Sequence, residues 1–309
     1  MIIYHLGFPF HSYLASKLSP GAVVIECDPV KDTADSVLTR SRKHSDFFFH
    51  IDLTVQPNIP PGRRELINSL ISRGVTVHNA HHDDQRKRML QKVSHELGFQ
   101  SLTAPQAGDP NEKLMVKSDL NVAGGPERRT VRRFPDMELP PLPSRVCSPS
   151  EYYVALRADI PEVIWDDETL HVEKFIDNPK GSVLRTFWNR GKIVVSVIEN
   201  PHEVVKKHNE KCRRWNYAHP VDELTEKAFT TMRLYAERLR LSFFAADWVL
   251  DEKDSIFIVD LNLTAQWAVN PATHIHNMTP ELHIADIPRV LLASIKPQKV
   301  SVEHSDGKR

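Results

Sequence analysis

The sequence is poor in cysteine and has no net charge. Its 309 residues include three cysteines, Cys27, Cys147 and Cys212, whose wide spacing forms neither a disulfide framework nor a zinc-ligand pattern. Because 40 Lys and Arg balance 40 Asp and Glu, the usual electrostatic reason to expect a nucleic-acid or membrane-surface partner is missing. We therefore expect reduced thiols, no nucleic-acid partner and no membrane partner.

Long hydrophobic runs are missing as well. No apolar stretch approaches the ~20 residues that span a bilayer. The first residues, Met1 to Gly7, lack the basic region and the long apolar core of a signal peptide. Hydrophobic residues make up 40% and charged residues 26% of the chain, which argues against wholesale disorder and against a fibrous protein. These features favour a cytoplasmic globular protein of roughly two domains.

The first eighty residues predict an α/β domain. Strands are predicted at 2–6, 22–27, 47–51 and 75–78, and helices at 10–18 and 63–72. Strands that alternate with helices predict a mainly parallel sheet. Because no Gly-x-Gly-x-x-Gly follows the first strand, a dinucleotide-binding domain is poorly supported.

The rest of the chain predicts an α+β organisation. A helix at 84–97 ends at Gly98, and a polar loop with Gly124 and Gly125 follows a strand at 114–117. Five prolines among residues 131–150 predict little regular structure there. Further strands are predicted at 172–176, 183–188, 192–198, 243–250 and 255–261, and a long helix is predicted after Asp222. The expected domains are 1–80, 81–171 and 172–295, followed by a flexible tail at 296–309.

Two acids interrupt the apolar hairpin predicted in the third domain. If the hairpin is symmetric about its turn, Leu250 pairs with Phe257. The same register opposes Asp247 and Asp260, with their Cβ atoms about 4.5–5.5 Å apart. Asn262 projects from the face of Asp260, because strands alternate with period two. Opposed carboxylates repel, and Mg²⁺ takes hard carboxylate and amide oxygens, so this pattern predicts a magnesium site. The alternative is two strand-end acids that pair with Lys or Arg.

This pattern resembles the ATP-grasp superfamily, which includes D-alanine–D-alanine ligase, glutathione synthetase and the ribosomal-protein glutamate ligases. In that family an Asp on one strand and an acid-x-Asn on the next hold the magnesium ions of MgATP. The resemblance implies this role for Asp247, Asp260 and Asn262. Many members have Glu where this chain has Asp260, a departure that bears on metal position and affinity. The resemblance covers about residues 84–262 and implies an N-terminal parallel α/β domain followed by an ATP-grasp pair of domains.

The resemblance also implies two phosphate lysines and a lid. Lys87 matches the lysine at the start of the central domain, and Lys117 matches a second lysine on the strand before a glycine-rich lid. Gly124 and Gly125 would form that lid, and Ser118 stands where a proline is usual. Lysines suit triphosphate oxygens as point charges. The alternatives are a solvated helix face for Lys87 and an exposed edge-strand position for Lys117.

Further matches imply an adenine-contacting segment and a catalytic arginine. Residues 172–176 resemble the hinge segment whose backbone meets the adenine, which implies a cofactor-binding role for Glu173, Lys174, Phe175 and Ile176. Arg185 resembles the arginine that follows the hinge in the glutamate-ligase branch. Arg185 and Lys117 are therefore the predicted catalytic residues, although Glu173 and Arg185 forming a strand-to-strand ion pair is the alternative.

Several weaker signals remain open. His78, His81 and His82 lie near two acids, Asp83 and Asp84, but no tetrahedral ligand set is evident, so a solvated loop is favoured. Residues 213–216 could bind a substrate carboxylate or a phosphate, or form a basic loop. By resemblance alone, acceptor contacts are placed at Gln266, Trp267, His274 and His276, with ordinary packing as the alternative.

The leading functional prediction is an ATP-dependent ligase. It would join a small-molecule carboxylate to an amine, such as an amino acid or a peptide, through an acyl phosphate, and release ADP and phosphate. Phosphoryl transfer needs mainly positioning and charge neutralisation, so the lack of a convincing nucleophile motif is consistent. Alternatives are a kinase on the same scaffold and a non-catalytic MgATP-binding regulator. Whether the chain forms a homodimer stays open.

Overall fold

The computed structural model describes residues 1–56, 58–139, 141–142, 152–199, 213–266, 282 and 284–292, and these residues form three sheets. The strands are β1 Ile2–Leu6, β2 Val23–Glu26, β3 Asp46–Ile51, β4 Thr76–His78, β5 Lys113–Ser118, β6 Tyr153–Leu156, β7 Leu170–Lys174, β8 Ser182–Asn189, β9 Lys192–Glu199, β10 Arg213–Tyr217, β11 Phe243–Leu250 and β12 Ile256–Asn262. The α-helices are α1 Leu14–Leu18, α2 Ala34–Arg40, α3 Arg63–Ser72, α4 Lys87–Glu96, α5 Gly125–Arg133, α6 Glu162–Trp165, α7 Glu223–Leu239 and α8 Ile287–Leu292.

The N-terminal sheet is parallel, with strand order β2-β1-β3-β4, which confirms the predicted fold class. One face of β1 and β3 packs against α2 and α3, because Tyr4, Phe47 and Phe49 alternate onto that face. The other face, with Ile3 and Phe48, packs against α1 and the five-stranded sheet. Sequence reasoning did not predict α2.

The helix predicted at 10–18 is wrong in one respect, since it is interrupted at Tyr13. A short 3-10 helix spans Phe10–Ser12, Tyr13 is extended, and α1 begins at Leu14. A bridge to Gln266 and a 2.9 Å hydrogen bond from the Tyr13 hydroxyl to Asp52 accompany this extended residue. Tertiary contacts of Tyr13 therefore override the local helical pattern.

A five-stranded antiparallel sheet, ordered β10-β9-β8-β11-β12, forms the C-terminal part. One face packs on α4 and α7 through residues such as Leu184, Trp248 and Met232, and we call this the helix-covered face. Asp222 caps α7 as predicted, accepting a hydrogen bond from the Thr225 backbone at 2.8 Å. The opposite face contacts the N-terminal sheet at one end, where the Phe48 and Phe243 rings meet edge to face.

A three-stranded antiparallel sheet, ordered β6-β5-β7, lies between these parts along the chain. The predicted adenine strand at 172–176 ends earlier, because β7 stops at Lys174. The predicted domain boundary at 171–172 therefore falls inside β7, which pairs with β5. The domain limits stay a prediction. In the described residues, no helix combines the length and hydrophobicity required to cross a membrane.

The glycine pair does not lie in a polar loop, so that expectation is wrong. Gly125 is the first residue of α5, and Gly124 precedes it with φ 75°. Val122 and Ala123 also have positive φ, 48° and 52°, so a left-handed turn leads into the helix. For the β-branched Val122 this conformation costs on the order of 1–3 kcal/mol. Residues 131–133, predicted to be irregular, form the last turn of α5, and 143–150 lie outside the described residues.

Candidate nucleotide and metal site

The two acids of the hairpin are opposed, but the register that opposes them differs from the prediction. Near the turn, Leu250 pairs with Ile256, so the predicted pair with Phe257 is wrong. The register then shifts, and Asp247 pairs with Asp260 as predicted. Val259 is the extra residue of this β-bulge.

The bulge decides which face of the sheet the second acid occupies. Ile256 and Ile258 pack on the helix-covered face. Strict alternation would send Asp260 into the same core. Because Val259 adds one residue, Leu261 enters that core instead, and Asp260 and Asn262 turn to the face that carries Asp247.

A polar row crosses this opposite face, with one residue from each strand. Strand pairing aligns Asn216 with Ser196, Ser196 with Arg185, Arg185 with Asp247, and Asp247 with Asp260. The Arg185 guanidinium donates to both Asp247 oxygens, at 3.2 and 3.1 Å. The Ser196 hydroxyl donates to Asn216 Oδ1 at 2.7 Å. Sequence reasoning missed Ser196, whose only signal is its place in the alternation of β9.

The acid pair sits in an unfavourable setting for two charges. Burial raises the pKa of Asp247, and the charge of Asp260 adds to this, while Arg185 opposes it. Asp260 Oδ1 is buried and has no hydrogen-bond partner among the described residues. Lys87 Nζ lies 4.0 Å from that oxygen. An orphaned carboxylate oxygen opposite a second acid fits a cation ligand.

Both predicted phosphate lysines are buried beside this acid pair. Lys87 and Lys117 are each only 3% exposed, so neither the solvated-helix nor the exposed-edge alternative holds. Lys87 Nζ donates to the Leu120 carbonyl at 3.0 Å. Lys117 Nζ lies 2.5 Å from Glu173 and 3.4 Å from the carbonyl of Val259, the bulge residue. The two lysines therefore converge on the bulge from α4 and β5.

Glu173 forms the buried counterpart of Lys117, and Arg185 pairs with Asp247 instead, so the proposed Glu173–Arg185 ion pair is wrong. Burial raises the pKa of Glu173, and Lys117 opposes that shift. His171 Nε2 lies 3.4 Å from Glu173, and burial with the charge of Lys117 lowers the pKa of His171 well below its usual value. Burial raises the pKa of Tyr152, and the charges of Lys117, Asp260 and Glu173 also shift it, so Tyr152 lies near the same groups. Sequence reasoning missed His171 and Tyr152, because neither belongs to a charge or spacing pattern.

The predicted hinge is partly committed to protein contacts. The N–H of Lys174 donates to the Leu102 carbonyl at 2.8 Å, and that of Phe175 donates to the Lys113 carbonyl at 3.1 Å. Ile176 follows as a half-buried residue. The N–H groups of Lys174 and Phe175 are thus already bonded, and the adenine contact of this segment stays a prediction.

Asn262 joins the site to the carboxyl edge of the parallel sheet. Its Oδ1 accepts the Thr264 N–H at 2.8 Å, and the Thr264 hydroxyl donates to Asp52 at 2.8 Å. Asp52 follows β3 and also accepts from the hydroxyl of Tyr13 and, at 3.2 Å, from Arg129. Sequence reasoning missed Asp52, although its position directly after a parallel strand is a usual place for functional residues.

Some of the weaker sequence signals lie in the described residues, and others lie outside them. Residues 213–217 form β10, so the basic-loop alternative is wrong. The register puts Arg214 on the face of the polar row, where its charge lowers the pKa of Asp247. In the described ranges, no three side chains of His, Cys, Asp or Glu meet in a metal-binding group. His78 and His82 are buried rather than solvated, and His81 is exposed. Gln266 is exposed, and the remaining signals lie outside the described residues: Trp267, His274, His276, Cys147 and Cys212.

Three solved structures show what the chain is similar to. The ATP-grasp ligase PsnB, complexed with a phosphomimetic variant of a minimal precursor, Mg and ADP, matches with TM-score 0.50 and 11% identity over 94% of this chain and 97% of that one. L-amino acid ligase from Bacillus licheniformis matches with TM-score 0.47 and 12% identity, over 85% and 66%. D-alanine–D-alanine ligase from Bacillus anthracis matches with TM-score 0.45 and 10% identity, over 85% of each chain.

Sequence comparison alone finds no relative: no protein-family model and no curated protein matches the chain. At about a tenth identity, structural likeness establishes the fold and no more. The PsnB match covers nearly all of both chains. The protein therefore has the ATP-grasp fold.

Proposed function

We propose that the chain is an ATP-dependent ligase that joins a carboxylate to an amine. The observation that carries the proposal is the convergence of two buried lysines, Lys87 and Lys117, on the bulge that opposes Asp247 and Asp260. A triphosphate with a divalent cation is a ligand that satisfies both charges, since it offers anions to the lysines and a cation to the acids.

The chemistry of each residue indicates which part of MgATP it would contact. Asp247, Asp260 and Asn262 supply hard oxygens for Mg²⁺, and the orphaned Asp260 Oδ1 supports this fit. When bound, the metal neutralises charge on the phosphate oxygens. Gly124 and Gly125 lie at the N-terminus of α5, where backbone N–H groups favour anions. The segment Glu173–Lys174–Phe175–Ile176 remains the proposed adenine contact.

The proposed reaction consists of two displacement steps. A carboxylate oxygen of the first substrate attacks the γ-phosphorus, and the bond to the bridging oxygen breaks, releasing ADP. The amine then attacks the acyl carbon of this acyl phosphate, phosphate leaves with the C–O electron pair, and the amine loses a proton. Arg185 and Arg214, on the same face as the acids, stabilise negative charge on the transferring groups. Lys117 assists at the phosphate, so Arg185 and Lys117 keep their proposed catalytic roles.

The substrates proposed are small molecules. Of the similar structures, one is an L-amino acid ligase and another a D-alanine–D-alanine ligase. In this chain the carboxyl edge of the parallel sheet, with Tyr13 and Asp52, adjoins Asn262 through Thr264. Open α/β sheets bind ligands at this edge. We therefore place a substrate there.

A melting scan with and without MgATP tests nucleotide binding first. A ligand at a hundredfold excess over its Kd stabilises the folded state by about 2.7 kcal/mol. At roughly 2–4 °C per kcal/mol for a chain of this size class, the melting temperature should rise by about 5–10 °C. No shift with saturating MgATP contradicts the proposal.

Turnover then separates the ligase from its alternatives. Candidate acids are screened for ADP release, with hydroxylamine present to trap an acyl phosphate as a hydroxamate. A hydroxamate supports the ligase, whereas a stable phosphorylated hydroxyl identifies a kinase. Tight MgATP binding without any turnover identifies a regulator, which the shorter Asp260 in place of Glu favours.

A further inference from the structure

A cavity lies between the N-terminal sheet, α1, α8 and the β8–β9 hairpin. Its volume is about 230 Å³. Leu18, Phe48 and Phe243, which line it, are buried, whereas Arg190 is exposed and Lys192 is half-buried, so the two cations lie at its rim.

This cavity is separate from the proposed nucleotide and substrate sites. Asn189 and Phe243, which line it, lie four residues along β8 and β11 from Arg185 and Asp247. At about 3.3 Å per residue this is a separation of ~13 Å. Met1 at the cavity precedes the amino end of β1, whereas substrates of open α/β sheets bind at the carboxyl ends.

Hydrogen bonds hold the walls of the cavity in place. Asn79, 1% exposed, accepts from the Ser242 N–H at 2.9 Å and donates to the Phe243 carbonyl at 2.7 Å. Asn189 donates to the Leu291 carbonyl at 2.9 Å, which fixes α8 to the end of β8. The Arg190 N–H donates to the Ser242 carbonyl at 2.7 Å. Hydrogen bonds thus connect the elements that line the cavity.

The charges at the rim are unbalanced. Among the described residues, neither Arg190 nor Lys192 has a carboxylate within ion-pair distance, and the Arg190 guanidinium donates a hydrogen bond to the Met1 sulfur at 3.2 Å. Asp46 interacts with the charge of Arg190 from beyond ion-pair distance and is bonded to His78 at 3.1 Å, so this one carboxylate offsets only part of the charge of the two cations. Burial lowers the pKa of His78, so this imidazole adds no cation near neutral pH. An anion at the rim would be met by two cations.

We propose that this cavity binds a small organic anion with an apolar body. Its carboxylate would lie at Arg190 and Lys192, and its branched or aromatic body would lie against Leu18, Phe48 and Phe243. A volume of about 230 Å³ suits a branched-chain or phenyl carboxylate. Small-molecule sites combine such apolar walls with a few polar anchors.

Titration calorimetry on the full chain tests the proposal with two probes, 4-methylpentanoate and phenylacetate, and with their neutral amides. The carboxylate is expected to bind at least tenfold more tightly than the amide of the same shape. The double variant R190Q/K192Q should lose at least tenfold in affinity for the carboxylate. K253Q, which removes an exposed cation at the β11–β12 turn, is the matched control and should bind as the parent does.

A cavity-filling variant, L18F, provides a second test that leaves the rim charges intact, and it should weaken both probes at least tenfold. Thermal melting checks that each variant is folded. If the parent chain binds neither carboxylate, the proposal is overturned, even where the cause is that another part of the chain fills the cavity. Equal affinity for acid and amide, or binding unchanged in R190Q/K192Q or in a folded L18F variant, also overturns it.

Discussion

Replacing Asp260 by Asn separates a metal ligand from a structural acid. The Asp260 side chain is 30% exposed, lies opposite Asp247 and has Lys87 Nζ 4.0 Å away. At an effective dielectric constant of ~20, a unit charge pair at 4 Å is worth about 4 kcal/mol. The repulsion from Asp247 and the attraction to Lys87 have opposite signs, so their loss largely cancels. We expect the unfolding free energy of the ligand-free protein to change by less than about 1 kcal/mol.

The effect on MgATP should be much larger. Metal ions contribute several kcal/mol of charge stabilisation in phosphoryl transfer. Losing about 2.7 kcal/mol of this lowers turnover about 100-fold, at 1.36 kcal/mol per factor of ten. The Asp260→Asn protein should also need more magnesium for the same MgATP-induced rise in melting temperature.

Two measurements decide the outcome: thermal melting across a magnesium series with ATP, and magnesium-dependent ADP release. Asp254→Asn is the control, because Asp254 lies on the same hairpin but forms an exposed ion pair with Lys180. The control should retain the parent's magnesium response. A variant at Asp260 that is destabilised by several kcal/mol and has an unchanged magnesium response would refute the metal site.

Three further outcomes follow from the structure. Lys117→Met should destabilise the protein by about 3–5 kcal/mol, because it leaves Glu173 buried without its cation; denaturant unfolding measures this, and a neutral result contradicts it. Burial lowers the pKa of His82 to about 4, below the value of about 6.5 in the unfolded chain. Because the unfolded chain then binds a proton that the folded protein does not, the unfolding free energy should fall by about 3 kcal/mol as pH drops from about 6.5 to 4. His82→Asn should reduce this loss in melting scans, and an identical pH profile of the variant would exclude the shift. Deleting Val259 should abolish MgATP stabilisation and lower the melting temperature, since Asp260 then turns into the helix-covered core; an unperturbed deletion variant argues against the bulge.

Sequence patterns determined much of the local structure. β1 and α3 span the predicted residues, and Asp222 caps α7 as expected. These features are local, because side-chain alternation, helical spacing and capping involve residues close in sequence. The opposition of Asp247 and Asp260 was also predicted, but from a symmetric hairpin that the chain does not form. A shorter turn and a bulge offset each other, and neither has a distinct sequence signal.

Tertiary structure decided the environment of the candidate residues. Lys87 stands between two arginines, a pattern typical of a solvated helix face, yet it is buried against Leu120. The predicted adenine contact concerns the backbone around Glu173, and no sequence pattern predicted that its side chain is the buried partner of Lys117. Burial and ion pairing depend on which elements pack together, so spacing along one strand does not encode them.

The connection between Asn262 and Asp52 shows most clearly what the sequence determines and what the tertiary structure decides. Sequence alone identified Asn262 by its place two residues after Asp260. Only the packed chain joins it, through Thr264, to Asp52, which is more than two hundred residues away in sequence. Hydrogen bonds at this separation form because the parallel sheet and the antiparallel hairpin meet at their ends. The sequence thus determined which residues could bind a metal, and the tertiary structure decided which of them share one face.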